Sequence, residues 1–117
     1  MARRRAAHPL DNNPRMTLDN LEALVPAGVE DLLPTFMENR KKELEALQAA
    51  VASNDFGAVL HMAHRMKGVG EPYGFPAISL LGIDIDQAAQ KPDKARLVQL
   101  LAQYAHYLDN VRVSTEV

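Results

Sequence analysis

Cysteine is absent from the 117 residues. Its absence removes disulfide frameworks, thiolate zinc sites, iron–sulfur clusters and cysteine nucleophiles together. It fits a reducing compartment, and a cytoplasmic location is expected. Long apolar runs are missing too, so no segment is predicted to span a membrane. No apolar stretch follows the basic N-terminus, which leaves no secretory signal. No stretch alternates apolar and polar residues convincingly with period 2, so no strand is predicted. A Gly-rich phosphate loop and the G-x-x-x-x-G-K-[ST] pattern are both lacking, and with them any nucleotide pocket. Nor does charge of one sign dominate, the formal net charge being −2.

What is present is an ordinary globular composition, 47% apolar and 24% charged. A chain of this size buries about two-thirds of its surface on folding and needs no metal or disulfide staple. Charge is unevenly spread. Residues 1–16 hold four arginines and one aspartate, net +3, while the remainder holds 9 basic and 14 acidic residues, net −5. A body that acidic is a poor nucleic-acid binder. Residues 1–16, with Arg3-Arg4-Arg5, His8 and an Asn12-Asn13-Pro14 turn signal, are predicted to form a mobile basic arm. Residues 17–117 are predicted to form one folded body. Its first part, 17–28, carries Leu18, Leu21, Leu24 and Val25, and reads as a short amphipathic helix ended by Pro26 and Gly28.

From Val29 onward a 3.6-residue period dominates. Val29, Leu32, Leu33, Phe36, Met37, Leu44, Leu47 and Val51 share a stripe. Pro34 suits a first helical turn better than an interior. The prediction is therefore a turn at about 29–33 and then a long helix to about Ala52. Ser53-Asn54 breaks it, and Asp55 is the expected N-cap of a second helix bearing Phe56, Val59, Leu60, Ala63 and Met66. Gly70, Pro72 and Gly74 stop that helix, with Gly70 its expected C-cap. A third helix carries Phe75, Ile78, Leu81, Ile85 and Ala88-Ala89, and ends near Lys91-Pro92. Asp93 caps a fourth, with Leu97, Leu100, Leu101, Tyr104, Leu108 and Val111. Short loops make successive helices antiparallel neighbours, so the expected fold is all-α, an up-down four-helix bundle with a short helical lead-in.

Few residues in this body suggest chemistry. His106 lies on a polar face of the last helix with no suggestive companion. His61 and His64 stand three apart, a metal-binding spacing, but no carboxylate lies three or four residues from either to complete a shell. At 100° per residue, His64 points about 100° from the core direction of its helix, at the boundary with water. Lys67, one turn on, can reach a group placed on His64. Gly68 removes a side chain beside the imidazole, although glycine in a helix interior costs about 1 kcal/mol relative to alanine. Asp84 and Asp86, two apart, point to different faces of the third helix and read as solvated or capping charges.

The run Ala63-His64-Arg65-Met66-Lys67-Gly68-Val69-Gly70-Glu71-Pro72-Tyr73-Gly74-Phe75 resembles the signature of the histidine phosphotransfer (HPt) domain family. That pattern is H-x-x-K-G with a glycine six residues on, and His64, Lys67, Gly68 and Gly74 match it. Asp31-Leu32-Leu33-Pro34-Thr35-Phe36 resembles the family's entry to its first long helix. Ile78-Ser79-Leu80-Leu81-Gly82 resembles the helix beside the histidine. The likeness covers roughly residues 28–112. Pro72 is a departure, standing where many relatives continue the helix.

The resemblance implies a phosphorelay intermediate of two-component signalling. His64 would accept a phosphoryl group on Nε2 from a receiver-domain aspartate and pass it to another receiver. Lys67 would hold the phosphoryl oxygens and Gly68 would give clearance. The expected partners are receiver domains and a hybrid sensor histidine kinase, with no nucleic acid, no membrane and a monomeric chain. No cofactor is expected on this chain, since Mg²⁺ would be held by the receiver. The chain would be a phosphocarrier rather than an enzyme. Chemistry supports this independently: neutral imidazole is a competent nucleophile near neutral pH, and phosphoryl transfer asks mainly for positioning and charge neutralisation. Asn39, Arg40 and Ser53 are candidate docking contacts. The alternative is a non-phosphorylated four-helix adaptor that docks on a receiver or kinase. Met1 and the compact length fit a stand-alone module.

Overall fold

The computed structural model describes residues 21–115. Residues 1–20, including the basic arm, His8 and Leu18, lie outside them. A 3₁₀ turn at Glu30–Leu32 leads into helix α1, Leu33–Ala52. Helix α2 spans Phe56–Val69, α3 Pro76–Gln90 and α4 Lys94–Asn110. Each helix packs on the next and α4 closes on α1, the neighbour pattern of an up-down four-helix bundle.

The sequence punctuation acts largely as expected. Pro34 sits in the first turn of α1, where its missing N–H costs nothing. Asn54 ends α1 in the left-handed conformation at φ 61°. The Asp55 carboxylate accepts from Ala58 N at 3.1 Å, and that of Asp93 from Arg96 N at 3.1 Å. Each thereby satisfies a helix-end donor. Gly70 is the C-cap of α2, but in right-handed geometry. A Cβ there would lie 2.6 Å from Phe75 O and 2.7 Å from Ser79 N. Its small size, rather than a cap conformation, is what the site requires.

One face of every helix is buried. Val59, Ala63 and Met66 of α2 meet Ile78, Leu81 and Ile85 of α3, with Leu47, Leu97, Leu100 and Tyr104 completing the centre. A fully buried side chain of this kind contributes ~1.5–3 kcal/mol relative to exposure.

The lead-in departs from expectation. Residues Glu22–Val25 form a strand, β1, paired in parallel with β2, Arg112–Thr115. Ala23 and Val25 are buried, whereas Leu24 is 59% exposed. A strand sends alternate side chains to opposite faces. So Ala23 takes the inward place that a helical reading gave to Leu24. The fourth helix also stops at Asn110, and Val111 is already extended, φ −65° and ψ 135°. The backbone of β1 runs against Gly74, where φ is +94° and a Cβ would lie 2.6 Å from Leu24 O. Only glycine meets both demands.

Candidate functional site

His64 projects from the second half of α2 and is exposed, as its angular position predicts. Ala63 and Met66, on either side of it in sequence, are fully buried, so the helix beneath the imidazole is fixed by the core. Beyond Val69 the chain turns through a 3₁₀ segment, Glu71–Tyr73. The Glu71 N–H donates to Ser79 Oγ at 2.9 Å, tying that turn to α3. Pro72 thus falls after α2, and His64 is a full turn inside the helix.

Gly68 is exposed and belongs to α2 without a positive φ. A Cβ at this position would meet nothing within 4 Å. The fold therefore does not require glycine there, unlike Gly70 or Gly74. Beside His64 and Gly68 an open groove of ≈ 750 Å³ runs between α1 and α2. Asn39, Arg40, Lys42 and Arg65 line it with them, so its rim is basic within an acidic body. Ser53 is elsewhere, at the far end of α1, donating to Ala50 O. Asn39 and Arg40 are brought to the histidine and Ser53 is not.

The wall of this groove is built from stacked rings and paired charges. The Arg40 guanidinium lies 5.0 Å from the Phe36 ring centre, and Phe36 stacks on Tyr73 and Phe75 at 4.5 and 5.2 Å. Arg40 Nε is 3.6 Å from Glu43 Oε1. The same oxygen accepts from the Tyr104 hydroxyl at 2.9 Å. Glu43 is only 8% exposed, and burial pushes its carboxyl above the ordinary range despite Arg40 and the Tyr104 hydroxyl. Burial, with the Glu43 charge and hydrogen bond behind it, pushes Tyr104 up as well.

On the opposite side, α2 meets α3. Lys67 is half-buried, and its ammonium donates to Asp86 Oδ2 at 2.5 Å. Gln90 Nε2 donates to Asp86 Oδ1 at 2.6 Å. These two hydrogen bonds, Lys67 first, hold the Asp86 carboxyl below its ordinary range, against the opposing effect of partial burial. Sequence reading placed Asp86 among solvated charges, and the structure corrects this. Asp84 does face another way, toward Lys91, Asp93 and Arg96. A signal for Asp86 was present: Gly82, one turn earlier. A Cβ on Gly82 would lie 2.8 Å from Met66 Cβ and 2.9 Å from Lys67 N. The two helices cross at Gly82, which delivers the residue four positions later to Lys67.

The other two described histidines are not drawn into the site. His61 is exposed one turn earlier on α2, and His106 is paired with Asn110 on α4. Among the described residues, no group of three or more His, Cys, Asp or Glu side chains converges to hold a metal ion. No helix among them is long and apolar enough to cross a membrane.

Compared with known families, the chain matches the Hpt domain model over residues 31–114. That span takes in all four helices, the groove and both faces of α2 around His64. Comparison with curated proteins and with solved structures finds no significant match.

Proposed function

Because the chain belongs to the Hpt domain family, whose work is histidine phosphotransfer in two-component signalling, we propose that it carries a phosphoryl group on His64 between receiver domains. The observation that carries this reading is an exposed imidazole on a core-anchored helix, beside an open groove and the bare backbone of Gly68. A receiver must bring its aspartyl phosphate in line with the imidazole nitrogen, and that approach requires unobstructed space.

In the step itself the Nε2 lone pair attacks phosphorus. The bond from phosphorus to the receiver's aspartate oxygen breaks, and that aspartate leaves as a carboxylate. The proton on Nδ1 stays with the ring, which becomes positively charged as the N–P bond forms. Return transfer reverses each change. The transition state is loose, with negative charge on the transferred oxygens, and Lys67, one turn away, supplies a cation. The Mg²⁺ that screens the acyl phosphate belongs to the receiver. The basic rim of Arg40, Lys42 and Arg65 favours an acidic docking face.

The test is incubation of the chain with a receiver domain phosphorylated with labelled phosphate. Label should appear on the chain, be lost in acid and survive alkali, and be absent from His64→Gln. Stable binding without transfer would favour the adaptor reading.

A further inference from the structure

The Lys67 ammonium is already engaged before any phosphoryl group arrives. It lies at 2.5 Å from Asp86 Oδ2, across the α2–α3 crossing. Asp86 is itself held by Gln90 at 2.6 Å, so both carboxylate oxygens accept a hydrogen bond. The crossing at Gly82 fixes the distance between the two helices. Lys67 and Asp86 belong to different helices, 19 residues apart, so their pairing is a tertiary arrangement rather than a local one.

We propose that Asp86 is a positioning residue that holds the Lys67 ammonium while His64 is unmodified and releases it to the phosphoryl oxygens when His64 is phosphorylated. The proposal rests on His64 being the phospho-acceptor. The physical basis is a competition between two anions for one cation. A phosphoryl group on imidazole offers more negative charge than a single carboxylate, and the lysine stem has four rotatable carbons with which to swing between them. When Lys67 leaves, Asp86 retains Gln90 and gains water. The contact that Lys67 gives up opposes phosphorylation, so Asp86 sets how strongly His64 holds its cargo.

Asp86→Asn removes the competing charge and frees Lys67 for the phosphoryl group. Phospho-His64 should then live longer, by up to about fivefold, the equilibrium equivalent of a part-exposed ion pair. Lys67→Ala should shorten that lifetime. In the Lys67→Ala background, Asp86→Asn should change nothing, because Asp86 acts through Lys67.

The experiment uses the full chain phosphorylated by phosphoramidate, which needs no receiver: its P–N bond breaks, ammonia leaves, and the bond to His64 forms. Lifetimes are read for the wild type, both single variants and the double variant. The ¹³Cγ resonance of Asp86 at pH 7.5 is read beside them, a signal that a merely structural role would not move. In the unmodified protein Lys67→Ala should shift that resonance. Phosphorylation of the wild type should shift it toward the Lys67→Ala position. An Asp86 resonance indifferent to phosphorylation would overturn the handover. So would an Asp86→Asn effect of equal size with and without Lys67. Failure of a phosphorylated receiver to label His64 would instead remove the phospho-acceptor reading, and the handover with it.

Discussion

His64 and Gly68 are exposed on α2 and contribute nothing to the core. His64→Gln should therefore change unfolding free energy by less than about 0.5 kcal/mol while removing the proposed acceptor. Denaturant melts check this, and a larger loss would mean that the imidazole is part of the packing. Gly68→Ala should stabilise the fold by up to about 1 kcal/mol, since the added methyl meets nothing and alanine favours helix. Gly68→Gln should fold yet transfer poorly, because its side chain would stand in the groove. Glu43 makes a different kind of statement. Its carboxyl is raised above the ordinary value of 4.5 by burial, so the folded state binds its proton more tightly than the unfolded chain does. The stability it contributes is present below pH 4.5 and lost as pH rises through the raised value. Glu43→Gln should flatten that part of the stability–pH curve relative to the wild type, and an unchanged slope would show that another group causes it.

Among the elements, the α2–α3 crossing decides the geometry of the site. Gly82→Ala should destabilise by ~1–3 kcal/mol, because its methyl would push Met66 and the Lys67 backbone away. Gly68→Ala, one helix over, has the opposite sign, so a pair of melts separates a glycine kept for packing from one kept open. The strand pair offers a second contrast. Val25 is fully buried and Leu24 is 59% exposed. Val25→Ala should cost about 2 kcal/mol, and Leu24→Ala less than about 0.5 kcal/mol. Equal losses would contradict the β1 assignment. This pair was hidden from the sequence for a physical reason. Four residues are too few to distinguish a period of 2 from 3.6, and the partner strand lies 90 residues further on, joined by the Glu22–Arg112 ion pair. The helices, by contrast, announce themselves locally, through the apolar stripes and through Asp55, Asp93 and Pro34 at their starts.

At the scale of the whole molecule, the bundle core anchors the helix that presents His64. The placement of His64, Lys67 and Gly68 on one helix was legible, because helical spacing turns sequence into geometry directly, but the turn of Lys67 toward Asp86 was not. Asp86, Gln90 and the buried Glu43–Tyr104 pair were not, because they depend on which helices meet and at what distance. Only Gly82 hinted at that distance. The groove between α1 and α2 is likewise a property of two elements, although Asn39 and Arg40 could be placed on its side in advance. The proposed role is transport, in which the chain receives a phosphoryl group on His64 from one receiver and delivers it to a second. A pulse–chase measurement tests this most directly. The chain is labelled from a phosphorylated receiver, separated from it, mapped for the labelled residue, and then mixed with an unphosphorylated second receiver. The account predicts label on His64 alone, followed by its departure and its appearance on the second receiver's aspartate. Label on His61, His106 or His8, or label on His64 that no receiver can remove, would contradict it.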